Sequence, residues 1–372
     1  MLLVMTFIDY RKAFDSVEHH TVWESFLEQG VEQKYVDILK DCYSNCMTKF
    51  SPFTPFNRPI VLPIKKGVRQ GDPISLNLFS AVLESVIRKC DWDDCGIIVN
   101  GRMLNHQRFA DDIVLLTPTP HKAERMLRQL DEVGEKVGLQ LNEKTKVMRN
   151  RFADPSAVRL GQMTLEDTDE YVYLERLINL TNDLKPEIVR RKRAAWAAYN
   201  IIKPAVSEIK NQKVRAELFN STVIQALCYG SETWTLTKAM EAQLKTTQAS
   251  IERHMVGYTL RRQHCEGLHN SDIRSLSIVT DALKYANHSK HRWAGHVMRR
   301  NDGRWSKAVI EWYPRQKKRL PGRPPTRWSD SRSIRYDIVD DRMRCLVHWS
   351  TRAQTRNDWK GCYDPQRGNR RV

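Results

Sequence analysis

Two adjacent aspartates, Asp111 and Asp112, interrupt an otherwise apolar stretch at residues 109–116. An apolar run of this length is typical of a buried strand. A second apolar run, residues 2–8, ends on Asp9. If both runs are strands of one layer, three carboxylates from distant parts of the chain meet at one edge of that layer.

Carboxylates gathered at one place need compensation. Two unit charges about 4 Å apart repel by about 4 kcal/mol at an effective dielectric constant near 20. Either a shared proton raises a pKa, or divalent cations lie between the side chains. Two Mg²⁺ ions can activate a 3′-hydroxyl and stabilise a departing pyrophosphate. An Asp-Asp pair alone is a weak signal, because carboxylates are also common in turns and helix caps.

The first 150 residues alternate between strand-like and helix-like patterns, which predicts an α+β layer. Prolines between Phe50 and Lys66 exclude a long helix there. Asn100-Gly101 predicts a two-residue hairpin turn, and Ser75 is placed to cap a helix. Beyond about residue 180 the patterns are mostly helical. Apolar residues share one helical face in four early segments, at 23–27, 36–43, 78–87 and 123–133.

The positive charge is confined to one part of the chain. Residues 1–150 hold 20 Lys+Arg and 20 Asp+Glu, whereas residues 151–372 hold 41 and 24, which accounts for the whole net charge of +17. The densest stretch, residues 290–335, has 14 basic and 3 acidic residues with four tryptophans among them. Such a region favours polyanions, with aromatic faces for stacking bases. The alternative is a solvated surface whose tryptophans form a small core.

Length and composition exclude several classes of protein. A chain of 372 residues suggests two to three domains, and no apolar run approaches the roughly 18–20 residues of a membrane span. Eight cysteines without a CxxC pair argue against a zinc ribbon or a disulfide framework and favour a reduced, intracellular compartment. Two groups lack the paired spacing of structural zinc sites: His264, Cys265 and His269, and Cys345, His348 and Cys362.

Four segments in order resemble the palm motifs of the reverse transcriptases of LINE-type (non-LTR) retrotransposons: residues 7–15, 67–79, 109–112 and 138–146. Residues 171–174 are similar to the strand of that family that grips the primer. Residues 292–299, 304–305 and 322–328 resemble the tail that follows the polymerase in one branch of these elements. The resemblance covers nearly the whole chain.

The resemblance implies a fold and an activity. Residues 1–150 would form a right-hand polymerase palm, an antiparallel sheet with packed helices. Residues 151–260 would form a connector and a helical thumb-like region, and residues 261–372 a basic, Trp-rich nucleic-acid-binding extension. The activity would be RNA-directed DNA synthesis, in which two Mg²⁺ ions, or Mn²⁺ as a substitute, assist nucleotidyl transfer. The implied partners are an RNA template, a DNA primer and deoxynucleoside triphosphates, without a membrane. The basic run at 315–319 is typical of a nuclear localisation signal or of a solvated face.

The resemblance also assigns residue roles. Asp9, Asp111 and Asp112 would be the catalytic metal ligands, and Tyr10 would add its backbone carbonyl. The ring of Phe14 would exclude a 2′-hydroxyl, although a buried core phenylalanine is the alternative. The other implied nucleotide-binding residues are Arg69, Gln70, Gly71, Lys144 and Lys146. The implied nucleic-acid-binding residues are Arg190, Arg191, Arg193, Arg292, Trp293, Arg304, Trp305, Lys317, Lys318, Arg319, Arg323, Arg327 and Trp328.

Three departures from the family pattern lower the expected activity. Only eight residues precede Asp9, where the family carries its fingers and, further upstream, often an endonuclease. The fourth motif is one residue short between Asn142 and Lys144. Glu175 replaces a glycine, and its carboxylate would repel a primer phosphate. We therefore expect a truncated element copy that polymerises poorly alone. The alternatives are a non-catalytic nucleic-acid-binding remnant and, less consistent with the tail, a group II intron maturase.

Overall fold

The computed structural model describes residues 2–51, 59–312, 327–330 and 348–362. The chain forms two compact units, Met1–Leu174 and Glu175–Val372. The first unit includes a strand at Glu166–Asp167 that pairs with the central sheet. The predicted domain boundaries at residues 150 and 260 stay predictions. In the described part of the chain, no helix combines the length and apolarity that a bilayer crossing requires.

Strands and helices alternate in the first unit, as the sequence patterns predicted. Its strands are β1 Val4–Ile8, β2 Met47–Phe50, β3 Ile60–Pro63, β4 Ile97–Val99, β5 Arg102–Leu104, β6 His106–Phe109, β7 Asp112–Thr117, β8 Lys146–Arg149, β9 Arg159–Leu160, β10 Met163–Thr164, β11 Glu166–Asp167 and β12 Glu170–Tyr173. Its helices are α1 Ala13–Ser16, α2 His19–Glu28, α3 Gln33–Tyr43, α4 Ser75–Arg88 and α5 Pro120–Glu135.

The central sheet has five strands in the order β11-β8-β1-β7-β6. Strand β1 is apolar on both faces and lies in the middle, antiparallel to both β7 and β8. Helices α4 and α5 contribute apolar residues such as Val82 and Leu127 to one core. Alternate residues of the central sheet contribute to the same core. The predicted helical faces are therefore confirmed for both helices.

One local prediction for α4 is wrong. Ser75 does not cap the helix from outside but is its first residue, and Ile74 occupies the cap position. The Ser75 hydroxyl instead donates a hydrogen bond to the carbonyl of Arg69. The serine therefore ties the preceding loop to the start of α4.

The second unit is mostly helical, which confirms the prediction for residues beyond about 180. It contains the strand β13 Arg176–Asn179. Its helices are α6 Lys185–Glu208, α7 Gln212–Phe219, α8 Gln225–Leu227, α9 Lys238–Val256, α10 Leu260–Cys265, α11 Asn270–Ser277, α12 Ala282–Met298, α13 Trp305–Glu311, α14 Trp349–Arg352 and α15 Arg356–Cys362. The main core is built around the fully buried Phe219, Trp234 and Leu244.

A smaller core joins residues 349–359 to α12. The indole of Trp359 lies against Gly295, where any Cβ would come within 2.3 Å of the ring. The Trp359 Nε1 donates to the carbonyl of His291 at 2.8 Å. Trp328 packs edge-to-face with Trp293, with ring centroids 5.3 Å apart. Trp328 therefore packs against this small aromatic cluster while remaining half-buried.

Candidate active site

Antiparallel pairing brings the predicted carboxylates to one end of the sheet. In the register of β1 and β7, Ile8 lies opposite Ile113, so Asp9 and Asp112 follow at the same end. Phe109 pairs with Asp112 in the β6–β7 hairpin, which leaves Asp111 in a two-residue turn between them. The sheet therefore collects the three aspartates that the sequence singled out.

The charges of these carboxylates act on one another. Partial burial raises the pKa of Asp112, and the neighbouring carboxylates of Asp111 and Asp9 raise it further. Within the described ranges, no ion pair includes any of the three side chains. The site therefore holds negative charge that no lysine or arginine of the described residues neutralises.

The donor chemistry of this cluster suits a divalent cation. Mg²⁺ prefers carboxylate oxygens and keeps part of its water shell, so it needs few protein ligands. Among the described residues, no three side chains of the His, Cys, Asp and Glu types are already spaced as a metal site. Hence the residues fit the ion by charge and atom type, whereas the geometry shows only their shared position at the sheet end.

The fourth motif runs alongside the first and fixes the backbone around Asp9. The amide of Asn142 donates to the Asp9 carbonyl at 2.8 Å, and the Arg11 amide donates to the Gln140 carbonyl at 2.9 Å. The Asp9 amide donates to the hydroxyl of the fully buried Thr145 at 3.3 Å. Sequence analysis missed Thr145, for which a threonine inside the motif was the only signal.

Tyr10 can offer only its backbone to such a site. Its side chain is buried in the core, and this burial raises the pKa of the phenol. Neither of the two backbone hydrogen bonds across this segment uses the Tyr10 carbonyl. This arrangement is compatible with the predicted role of that carbonyl as a ligand.

The two lysines of the fourth motif differ in their surroundings. Lys144 is exposed. Lys146 lies on β8 opposite Phe7, and its ammonium pairs with Glu166 at 3.0 Å. Of the two, Lys144 is the better placed to meet an incoming phosphate, because its side chain has no ion pair in the described structure.

The second motif is attached to the first through backbone hydrogen bonds. The amide of Gly67 donates to Val17 and the amide of Val68 donates to Phe14, each at 2.7 Å. Gly67 has φ +86°, and a Cβ there would lie 2.8 Å from the Asp15 backbone. Glycine is therefore required at this crossing.

Residues of the second motif, and Phe14 of the first motif, differ in their contacts. The Gln70 amide donates to the Asp15 carboxylate at 3.4 Å. The half-buried ring of Phe14 stacks on Phe79, with centroids 4.7 Å apart. Gly71, at φ +88°, is surrounded by open space. Phe14 is thus supported from the core without being enclosed by it.

The Arg69 guanidinium contacts the end of α3. Its guanidinium donates to the Cys42 carbonyl at 2.7 Å and lies 5.2 Å from the centre of the Tyr43 ring. These contacts anchor the end of α3 to the second motif. Arg69 therefore stabilises the contact between α3 and the second motif, a role that the sequence did not predict.

Two tyrosines of β12 cover the outer face of the sheet beside the carboxylates. Tyr171 stacks on Phe7, with centroids 4.0 Å apart. The Tyr173 hydroxyl donates to the Asp112 carbonyl at 3.3 Å. Burial and the Asp112 charge raise the pKa of Tyr173 to about 12. The sequence pattern predicted this strand but not the contact of these rings with the segment that carries Asp111 and Asp112.

Glu175 does not present a bare carboxylate. Its side chain pairs with the Arg190 guanidinium at 2.6 Å, and Arg190 also donates to the Glu175 carbonyl at 2.7 Å. The expected repulsion of a primer phosphate is therefore largely compensated. The residue has φ +60°, a conformation that favours glycine.

The predicted nucleic-acid-binding residues of the second unit divide into several groups. Arg191 is buried, pairs with Glu187 at 2.5 Å and lies over the Tyr229 ring, so its guanidinium supports the fold instead of facing a ligand. The Trp328 indole donates to the Glu232 carbonyl. Trp293 and Trp305 are half-buried, while Arg193, Arg292, Arg304 and Arg327 are exposed. Lys317, Lys318, Arg319 and Arg323 lie outside the described residues.

Comparison with known proteins now assigns the class of the first unit. Residues 2–175 match the family described as reverse transcriptase (RNA-dependent DNA polymerase). The first unit is therefore a reverse transcriptase domain, and its sheet carries the three aspartates. Enzymes of this family use divalent metal ions.

The relatives narrow the class further. The chain is 48% identical over 266 residues to a transposon-derived protein of Caenorhabditis elegans, covering 70% of this chain and 95% of that protein. It is 29% identical over 139 residues to the Pol polyprotein of the R2 retrotransposable element of Nasonia vitripennis, covering 37% and 13% of the two chains. A Popillia japonica R2 polyprotein is 25% identical over 237 residues, covering 60% and 32%. The chain belongs to the reverse transcriptases of non-LTR retrotransposons, and it spans less than a third of these R2 polyproteins.

Among solved structures, the chain is similar to a telomerase of Candida tropicalis in complex with a fragment of telomeric RNA. The TM-score is 0.36 at 11% identity, covering 83% of this chain and 48% of that one. At this level the similarity does not add to the assignment. The predicted family and the α+β polymerase fold are confirmed by the sequence relatives and by the observed sheet.

Proposed function

We propose that the chain catalyses RNA-directed DNA synthesis, adding deoxynucleotides to the 3′-hydroxyl of a primer on an RNA template. One observation carries this proposal. Asp9 and Asp112 lie at the same end of paired strands, with Asp111 in the adjoining turn, and no ion pair of the described residues compensates them.

The carboxylates of Asp9, Asp111 and Asp112 would hold two Mg²⁺ ions, with the Tyr10 carbonyl as a further ligand. Bound there, the ions would lower the pKa of the primer hydroxyl and offset charge on the leaving pyrophosphate. Phe14, stacked on Phe79, would exclude a 2′-hydroxyl from the nucleotide site. Exposed Lys144 would donate a proton or a hydrogen bond to the departing phosphate.

The basic second unit would hold the template and primer, because its excess of positive charge favours polyanions. Arg193, Arg292, Arg304 and Arg327 support this proposal, since all four are exposed. We further propose a nuclear location, for which the basic run at 315–319 is the supporting feature.

A second candidate function is nucleic-acid binding without catalysis. Two of the predicted nucleotide-binding side chains, Arg69 and Lys146, make contacts within the protein instead of facing the carboxylates. This observation favours a remnant that keeps the basic surface but not the chemistry.

Primer extension on an RNA template with Mg²⁺ separates the two functions. We expect weak extension by the wild type, in line with the departures from the family pattern, and a further loss of at least about 100-fold in Asp111→Ala, since ligand removal abolishes charge stabilisation in the transition state. Asp93→Ala, at an exposed carboxylate of the same unit, is the matched control and should retain activity. Equal background synthesis by the wild type and Asp111→Ala would favour the remnant.

Thermal melting with added metal gives an independent measurement. A ligand that binds only the folded state at 100 times its Kd stabilises by about 2.7 kcal/mol. Mg²⁺ or Mn²⁺ should therefore raise the Tm of the wild type more than that of Asp9→Asn. Identical metal-induced shifts in the two proteins would contradict a metal site at Asp9.

A further inference from the structure

Helix α12 exposes one kind of side chain. Within Ala282–Met298, the exposed residues are Lys284, His288, Arg292 and His296, and the rest of the helix is half-buried or buried. The same stretch contains no Asp or Glu. The solvent face of α12 is therefore a continuous row of two cations and two imidazoles, which we call the α12 row.

The spacing of the α12 row is regular. Its members are four residues apart, and such positions are neighbours on a helix surface, about 5–6 Å between Cβ atoms. Each step rises about 6 Å and turns about 40° beyond a full turn, so the row spans about 18 Å. One strand of a duplex carries about five phosphates over that length.

The helix that carries the row is fixed from behind. The buried Lys290 ammonium donates to the Trp234 carbonyl at 2.8 Å. Gly295 lies against Trp359, whose Nε1 donates to the His291 carbonyl. These contacts anchor α12 on two sides, so the four exposed side chains are displayed on a rigid support.

We propose that the α12 row is a nucleic-acid-binding track that follows one sugar-phosphate strand. Lysine and arginine neutralise phosphates, and an imidazole N–H can donate to a phosphate oxygen whether or not the ring is charged. The row extends the predicted site at Arg292 to Lys284, His288 and His296. The inference deepens the proposed function, since it identifies where the second unit holds nucleic acid.

Salt-dependent binding tests the track directly. The probes are a fluorescently labelled 20-base-pair RNA–DNA hybrid and the corresponding single-stranded RNA, titrated at several salt concentrations. The slope of log K against log salt is negative. We expect Lys284→Gln/Arg292→Gln to reduce its magnitude by about 1.4–1.8, the loss of two phosphate contacts at 0.7–0.9 each. The two probes show whether the track follows a duplex or a single strand.

The matched control is Lys238→Gln/Lys245→Gln, which removes two exposed lysines from α9 and changes the net charge equally. It should leave the slope within about 0.5 of the wild-type value. A second variant, His288→Gln/His296→Gln, should weaken binding about five-fold or more, the loss of about one hydrogen bond. Circular dichroism confirms that each variant is folded.

Two results would overturn the proposal: no binding of either probe by the wild type, or equal slope changes in the α12 and α9 variants. Asp111→Ala should bind both probes as the wild type does. The track can therefore be supported while the polymerase proposal fails, and the reverse outcome is equally visible.

Discussion

The two units place their charged side chains in different ways. In the first unit, backbone pairing positions Asp9, Asp111 and Asp112, so strand register alone decides that they meet. In the second unit, charge lies on helices, where tertiary packing decides whether a residue such as Arg191 is buried or, like Arg292, exposed. Motif spacing therefore predicts which side chains meet in the first unit. In the second unit, composition predicts only a net positive charge.

The largest expected effect concerns the close backbone approach in the first unit. Gly138 has φ +87°, and an added Cβ would lie 2.4 Å from the Ser16 carbonyl oxygen. Gly138→Ala should lower the free energy of unfolding by about 3–4 kcal/mol, from left-handed strain plus the clash. Urea denaturation followed by circular dichroism measures the change.

Gly30→Ala is the control for Gly138→Ala. Gly30 has a similar φ of +85°, but nothing lies within 4 Å of a Cβ there. It should lose only the conformational part, about 1–2 kcal/mol. Equal losses at the two glycines would show that the backbone crossing at Ser16 can relax to accept a Cβ at residue 138.

The next effect tests burial of charge in the second unit. Desolvation lowers the pKa of Lys290 to about 7 and outweighs the Trp234 carbonyl and Trp328 ring, which favour the ammonium. Between about pH 7 and the unfolded value of 10.5, the unfolded state binds more protons, so stability rises with pH there. The gain should be on the order of 3 kcal/mol.

Lys290→Met lacks this titration. Measured by tryptophan fluorescence in urea, the wild type should gain stability relative to the variant as the pH rises from about 7 to about 10. A constant difference between the two proteins across this range would contradict the lowered pKa. Burial would then not destabilise the charged form of Lys290 in the second unit.

A smaller effect tests repulsion in the first unit. Burial and the carboxylates of Asp111 and Asp9 raise the pKa of Asp112, so the folded state binds more protons than the unfolded state and stability falls as the pH rises through that range. Asp112→Asn should therefore have a higher Tm than the wild type at pH 7.5, and the difference should shrink toward pH 4. Asp93→Asn removes an exposed carboxylate that is not one of the three, so as the control it should not raise the Tm at pH 7.5.

The smallest effect separates strain from charge at Glu175. Glu175→Gly relieves a left-handed conformation but loses the ion pair with Arg190, so a net gain of about 0.5 kcal/mol is expected. Glu175→Gln keeps the strain and loses only the pair, so it should cost about 0.5 kcal/mol. If both substitutions destabilise equally, backbone strain is not important at this turn.

Sequence reasoning succeeded where a pattern maps directly onto the backbone. The apolar runs before Asp9 and after Asp112 became paired strands, because a short continuous apolar run is typical of a buried strand. Prediction from the sequence failed where the partner of a side chain comes from a distant part of the chain. Nothing near Trp328 reveals that its indole donates to Glu232, and nothing near Arg69 points to Cys42.

Arg191 is an instructive intermediate case. It lies within a run of four basic residues, which favoured a surface role. Glu187 lies four residues earlier, and this spacing predicts a pair along a helix. The pair exists and is buried, so the local signal was present but was outweighed by the basic run.

The segment before α2 has a consequence for how the chain tolerates changes in length. Phe14 and Val17 accept backbone hydrogen bonds from the second motif, while the Glu18 amide donates to Val137 beside the fourth. Adding or deleting one residue between Asp9 and Glu18 would therefore disrupt the backbone hydrogen bonds that hold the first, second and fourth motifs in register. Length variation among functional copies should instead accumulate at surface turns such as Asn100–Gly101.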